Sequence, residues 1–175
     1  MTDRLAGKVA LITGGASGLG ANAALLMAPE GARVVVADIA ADRGKAVAEK
    51  LGSSGHFVKL DVTSEENWQS AIAQTVEKFG AIHVLLNSAG IGLSKTVEDI
   101  TLEEWRHVHA IDLDGVFLGC KHGVTEIKKH TGKLGGSVIG RVLFQEAFSR
   151  CPTDLCTSVV RLRSDQAGGS RSRCA

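Results

Sequence analysis

Residues 8–20 read Lys8-Val-Ala-Leu-Ile-Thr13 and then Gly14-Gly15-Ala16-Ser17-Gly18-Leu19-Gly20, an unbroken apolar run that opens into a glycine-rich turn. An apolar run without alternation is the mark of a strand buried on both faces, which calls for helices on both sides of a parallel sheet. A glycine turn leading out of such a strand into a helix lets the chain reverse tightly. It also brings the helix N-terminus, with its free N–H groups and partial positive charge, to the end of the strand.

The rhythm continues down the chain and predicts an α/β fold, a Rossmann-like doubly wound parallel sheet. Strands are predicted at 8–13, 33–38, 56–60 and 82–87, with a fifth beginning at 137–139. Helices are predicted over 18–28, ended by Pro29 and Gly31, and over 41–51, stopped by Gly52. Thr63-Ser-Glu-Glu66 has the form of a capping box and opens a helix to Phe79-Gly80; Thr101-Leu-Glu-Glu104 opens another that continues, with interruptions, to about Lys129. The dinucleotide-binding region is placed at 1–139.

After Ile139 the pattern changes. Residues 140–175 show no clear period, carry six arginines and no lysine, and hold Cys151, Cys156 and Cys174 of the four cysteines. This tail is expected to be aberrant and poorly ordered, leaving a sheet truncated after about the fifth strand with an exposed edge and marginal stability.

Net charge +1 gives no electrostatic reason to expect nucleic acid or an anionic membrane as partner. The arginine-rich tail lacks an aromatic platform beyond Phe144 and Phe148, so a nucleic-acid segment is the weaker reading of it. No run is long and apolar enough to span a bilayer and no signal segment is evident, which makes the cytoplasm the expected location. The cysteines, Cys120 included, lack zinc-site spacing, and His107 and His109 lie two apart on a helix and so on different faces; no metal is expected.

The glycine loop carries the chemistry. Gly14 serves the tight turn, Gly18 lets the backbone approach a pyrophosphate, and Gly20 permits close helix–strand packing. Asp38 ends the second strand 24 residues after Gly14, where a carboxylate accepts hydrogen bonds from a ribose diol. Its charge repels a 2′-phosphate and so favours NAD over NADP. The plainer alternative is an aspartate capping the next helix.

Four separated motifs together resemble the short-chain dehydrogenase/reductase family over residues 5–139. Thr13-Gly14-x-x-x-Gly18-x-Gly20 is similar to its wide glycine fingerprint, with Ser17 and Leu19 inside it. Asp61-Val62 resembles its adenine-contacting pair, and Asn87-Ser88-Ala89-Gly90 its Asn-Asn-Ala-Gly motif. Ile111-Asp-Leu-Asp-Gly-Val-Phe117 resembles its Asn-x-x-Gly-Val-Phe segment. The resemblance implies cofactor contacts at Thr13, Gly14, Ser17, Gly18, Leu19, Gly20, Asp38, Asp61, Val62, Asn87, Ala89 and Gly90. It also implies hydride transfer between NAD and a secondary alcohol or ketone, as in alcohol or hydroxysteroid dehydrogenases.

The family's catalytic groups are a serine, a tyrosine with a lysine four residues later, and a helix asparagine. This chain has no tyrosine, no lysine after Lys133, Gly140-Arg-Val-Leu-Phe144 where the serine would fall, and Asp112 at the asparagine position. No catalytic set is expected, and the chain reads as inactive alone, or as a non-catalytic NAD-binding or regulatory module. The resemblance allows a homo-oligomer, against which the interrupted fold argues. Leu162–Arg171 can be back-translated so that the next frame encodes Tyr-x-x-x-Lys, with the tyrosine codon spanning Leu162 and Arg163 and the lysine codon Gln166 and Ala167. A shifted reading frame is therefore one origin for the tail, and a genuine divergent terminus the other.

Overall fold

A computed structural model describes residues 3–130, 136–141 and 157–162. Strands β1 (Val9–Thr13), β2 (Arg33–Asp38), β3 (Gly55–Lys59), β4 (Val84–Asn87) and β5 (Gly136–Arg141) run parallel. The helices are α1 (Gly18–Met27), α2 (Ala41–Lys50), α3 (Glu65–Phe79), α4 (Leu102–His109) and α5 (Gly115–His130). A sixth strand, β6 (Thr157–Leu162), pairs antiparallel with β5, giving the order β3-β2-β1-β4-β5-β6.

The two-sided burial follows from the strand pleat, in which successive side chains point to opposite faces. Leu11, Val35 and Ala37 face a core completed by Trp68, Ala71 and Ile72 of α3 and Ile127 of α5. Ala10, Ile12, Val34 and Val36 face the other core, with Ala24 of α1 and Val47 and Ala48 of α2. Trp68 is fully buried, and its indole N–H donates to the Val62 carbonyl at 3.0 Å, so the largest core side chain keeps its one polar atom satisfied.

Two expectations are corrected. The helix after β3 is capped by Ser64, whose hydroxyl accepts from the Asn67 amide at 3.2 Å, and not by Thr63. Thr63 is drawn backwards instead: its amide and hydroxyl donate to Asp61 Oδ1 at 2.9 and 2.7 Å, a turn that competes with capping. The box at Thr101 forms as expected, with the Glu104 amide donating to Thr101 Oγ1 and the Thr101 amide to Glu104 Oε2. The interruption expected in the long helix is a π-helical turn, Ala110–Asp114, between α4 and α5.

The second correction concerns the tail. Thr157-Ser-Val-Val-Arg-Leu162 forms β6 inside the stretch in which no period is legible. Backbone hydrogen bonding needs no side-chain alternation, and the run is rich in β-branched residues. β6 therefore covers the edge of β5 that was expected to be open. The cysteines at 151, 156 and 174 and residues 163–171 of the shifted-frame segment lie outside the described residues, as does the expected poor order of the tail there.

Candidate functional site: the C-terminal edge of the sheet

The sheet order reverses between β1 and β4, and parallel strands diverging at such a point leave a crevice at their C-terminal ends. Thr13, Asp38 and Asn87, the last residues of β1, β2 and β4, all reach that edge.

Thr13 is 1% exposed, and its Oγ1 accepts from the amides of both Ser88 and Ala89 at 3.0 Å. One hydroxyl thus clamps the turn after β4 to the glycine loop after β1. Gly14 makes the approach close enough: it holds φ at 64°, and a Cβ there would lie 2.7 Å from Ala89 N. Gly20 packs equally tightly, since a Cβ would meet the Gly14 carbonyl oxygen at 2.3 Å.

Gly18 is the opposite case. It has φ 52°, yet a Cβ would meet nothing within 4 Å, so this position faces open space at the start of α1. Ser17 and Leu19 beside it are exposed, Ser17 makes no side-chain cap, and the first turn of α1 carries no acid. The N–H groups of the first turn and the positive helix end therefore face outward with no acid of that turn competing for them, as a phosphate requires.

Asp38 combines two roles. Its Oδ2 accepts from the Ala16 amide in the glycine loop at 3.0 Å, and its Oδ1 from the Ala40 amide at the start of α2 at 2.9 Å. The Ala40 bond is a turn leading into α2 and not a helix cap, since Ala40 is itself the N-cap and α2 has no side-chain cap bond. A carboxylate has about four acceptor positions, however, so two internal bonds leave room for a diol.

Asp61 is held by Thr63 as described, and Val62 is buried against α5, where a Cβ on Gly115 would come within 2.9 Å of Val62 Cγ2. Asn87 is 1% exposed; its Nδ2 donates to Cys120 Sγ at 3.8 Å, and its Oδ1 has no partner among the described residues. Burial pushes the Cys120 thiol up. Ala89 and Gly90 lie on the turn that follows, Ala89 against Gly14 and Gly90 against Asp112.

Asp112 sits on the π-helical turn, 5% exposed, and Oδ1 accepts from the Ile91 amide at 3.0 Å. Burial raises its carboxyl above the ordinary range, with the Ile91 bond and the charge of His109 acting in the opposite direction. His109 turns its Nδ1 to the Trp105 carbonyl at 2.9 Å, and no group of three acids, histidines or cysteines that could hold a metal occurs among the described residues.

The structure thus brings Thr13, Gly14, Ala89 and Asp38 into one connected loop system, with Gly18 open beside it. Asp61 and Val62 are anchored to α3 and α5 instead. The Ala16 and Ser88 amides, Ile91 and Cys120 are parts of this arrangement that sequence reasoning missed. The spacing of Asp38 and Ala40 is a legible turn signal. Nothing local marks Cys120, because its contact with Asn87 joins elements 33 residues apart.

A reversed parallel sheet with a glycine loop at the reversal is a dinucleotide-binding α/β domain. The family model for short chain dehydrogenases matches residues 8–141, and the chain belongs to that family. It is 45% identical over 148 residues to a trans-4-hydroxycyclohexanecarboxylate dehydrogenase of Sinomonas cyclohexanicum, covering 79% of this chain and 56% of that protein. It is 45% identical over 139 residues to a 3-alpha-(or 20-beta)-hydroxysteroid dehydrogenase of Mycobacterium tuberculosis, covering 79% and 52%. An NADP-dependent (R)-specific alcohol dehydrogenase of Lentilactobacillus kefiri is 43% identical over 173 residues, covering 95% and 68%. The chain spans about half the length of the first two of these relatives. Among the described residues no helix is long and apolar enough to cross a membrane.

Proposed function

We propose that this chain is the dinucleotide-binding part of an NAD-dependent short-chain oxidoreductase acting between a secondary alcohol and a ketone, and that it binds the cofactor without turning substrate over. The open cradle at Gly18, beside the tightly packed Gly14 and Gly20, carries the reading: of the glycines in the loop after β1, the one that would face a pyrophosphate is left clear. Ser17, Gly18 and Leu19 would hold the phosphates through backbone amides, and Asp38 the adenosine ribose. When bound, NAD supplies the carbon that accepts a hydride. The loops around it are held by Thr13 and by Asp38.

Asp38 supports NAD over NADP because a carboxylate at the ribose repels a 2′-phosphate; the relative from Lentilactobacillus kefiri is named NADP-dependent, so the two cofactors must be compared directly. The absence of tyrosine supports a chain without hydride-transfer turnover, and hence the alternative of a regulatory NAD-binding module.

Calorimetric titration of the full chain with NAD and NADP tests the reading, with an assay for NADH formation on a secondary alcohol. The expected result is tighter binding of NAD, a narrower gap in Asp38→Asn, and no NADH. Tighter NADP binding overturns the cofactor choice, sustained NADH formation overturns the lack of turnover, and binding of neither overturns the whole reading. For residues 140–175 the shifted frame is our proposed origin: coding DNA without Tyr and Lys codons in the next frame at 162–167 refutes it. The cytoplasm is the proposed location, checked by cell fractionation.

A further inference from the structure

Thr13, Asp38 and Asn87 end neighbouring strands, yet the two sides of the crevice differ in what they leave to a ligand. A dinucleotide crosses the sheet edge where the strand order reverses. With Asp38 at the adenosine ribose, the adenosine half lies toward β2 and the second nucleoside toward β4 and β5. On the β1–β2 side the polar groups are available. A Cβ on Gly18 would meet nothing within 4 Å, and Ser17 and Leu19 are exposed. The first turn of α1 holds no acid, so its N–H groups and partial positive charge are left to phosphate. Asp38 gives two of about four acceptor positions to the Ala16 and Ala40 amides, and the rest suit a diol.

On the β4 side the same kinds of group are already taken. The Ser88 and Ala89 amides both donate to Thr13 Oγ1 at 3.0 Å, and the Ile91 amide donates to Asp112 Oδ1 at 3.0 Å. Asn87 is 1% exposed, and its Nδ2 donates to Cys120 Sγ at 3.8 Å. A Cβ on Gly119 would come within 2.5 Å of Asn87 Oδ1, so this carboxamide is packed against α5. Asp112 is enclosed as well, with Oδ2 buried. The β5 residue paired with Asn87 is Gly140, which has no side chain to contribute. Residues 88–91 carry no charge, and the turn still offers the Ser88 hydroxyl and the Gly90 amide. Two neutral groups there stand against a helix end and a carboxylate on the other side.

We propose that the crevice recognises the adenosine diphosphate group alone, so that NAD, NADH, ADP-ribose and ADP are interchangeable ligands. The chain then reports the level of adenine nucleotide and not the redox state of the nicotinamide pool. This rests on the dinucleotide reading and narrows it to one half of the ligand. The oxidised nicotinamide ring carries a positive charge that the reduced ring lacks. Residues 87–91 hold no charged side chain to distinguish the two.

The experiment is calorimetric titration of the full chain with NAD, NADH, ADP-ribose, ADP and nicotinamide mononucleotide, under one buffer and salt condition. The first four should bind within about fivefold of one another, the worth of a single ordinary hydrogen bond. Nicotinamide mononucleotide, which lacks the adenosine half, should bind more weakly than any of them by a wider margin than that. Asp38→Asn should weaken the first four by a common factor, since all carry the adenosine ribose. A gap wider than fivefold between NAD and ADP-ribose, or between NAD and NADH, overturns the inference and leaves the dinucleotide reading standing. Nicotinamide mononucleotide binding as tightly as NAD does so too. Binding of none of the five overturns the dinucleotide reading itself, and this inference with it.

Discussion

Thr13→Val isolates the connection on which the site depends. The substitution preserves the branched shape in a strand buried on both faces and removes one atom, the Oγ1 that accepts the Ser88 and Ala89 amides. Those N–H groups point at a 1% exposed residue, so a methyl in its place leaves two donors facing carbon. An orphaned buried donor costs roughly 1–3 kcal/mol. Both bonds are only partly buried and the turn can shift toward water, which places the sum at about 2–4 kcal/mol. Thr13→Ser is the control: it keeps the hydroxyl and loses a single buried methyl group, about 1 kcal/mol. Urea unfolding of the three proteins, compared by midpoint at constant slope, gives the two differences. A loss in Thr13→Val no greater than that in Thr13→Ser would show that the hydroxyl does not clamp the turn.

Other outcomes follow from the same geometry. Gly20→Ala should be far more damaging than Gly18→Ala, about 3 kcal/mol or more, because its Cβ meets the Gly14 carbonyl oxygen; Gly18→Ala should cost only about 1–2 kcal/mol for its left-handed backbone, and equal thermal melts of the two would refute this ordering. His83 is buried, and its Nδ1 accepts from the Val9 amide at 3.1 Å. Burial, then the charges of Lys8 and His130, lower its pKa in the fold. The stability it contributes is thus present above about pH 6.5, its unfolded value, and is lost as pH falls through the lower folded value. Urea midpoints at neutral and acid pH should show that loss in the natural chain and less of it in His83→Gln; equal losses would refute it. Deleting residues 157–162 should expose the β5 edge and promote self-association, read by sedimentation; an unchanged monomer would count against the edge-covering role of β6.

The sheet was legible because a strand buried on both faces leaves an unbroken apolar run, and β1, β2 and β4 all have one. The capping box at Thr101 was legible for a similar reason, since both of its hydrogen bonds lie within four residues. The box at Thr63 failed where a second local signal, Asp61, competed for the same hydroxyl. β6 was hidden because its partner is the β5 backbone and its pairing depends on no side-chain period.

What the sequence determined by itself is the class of fold, the strand–glycine loop–helix unit at 9–27, and the placing of Asp38 at the end of β2. Each depends on contacts within a few residues or on the burial pattern of a single element. The tertiary structure alone decided that Asp38 holds the Ala16 amide, that Thr13 grips two amides 75 and 76 residues away, and that the Asp112 carboxyl, whose Oδ2 has no partner among the described residues, lies against Gly90. Those contacts join segments that meet only when the parallel strands are assembled and their C-terminal ends share one edge. A buried polar atom acquires its partner, or is left without one, only when that packing closes around it.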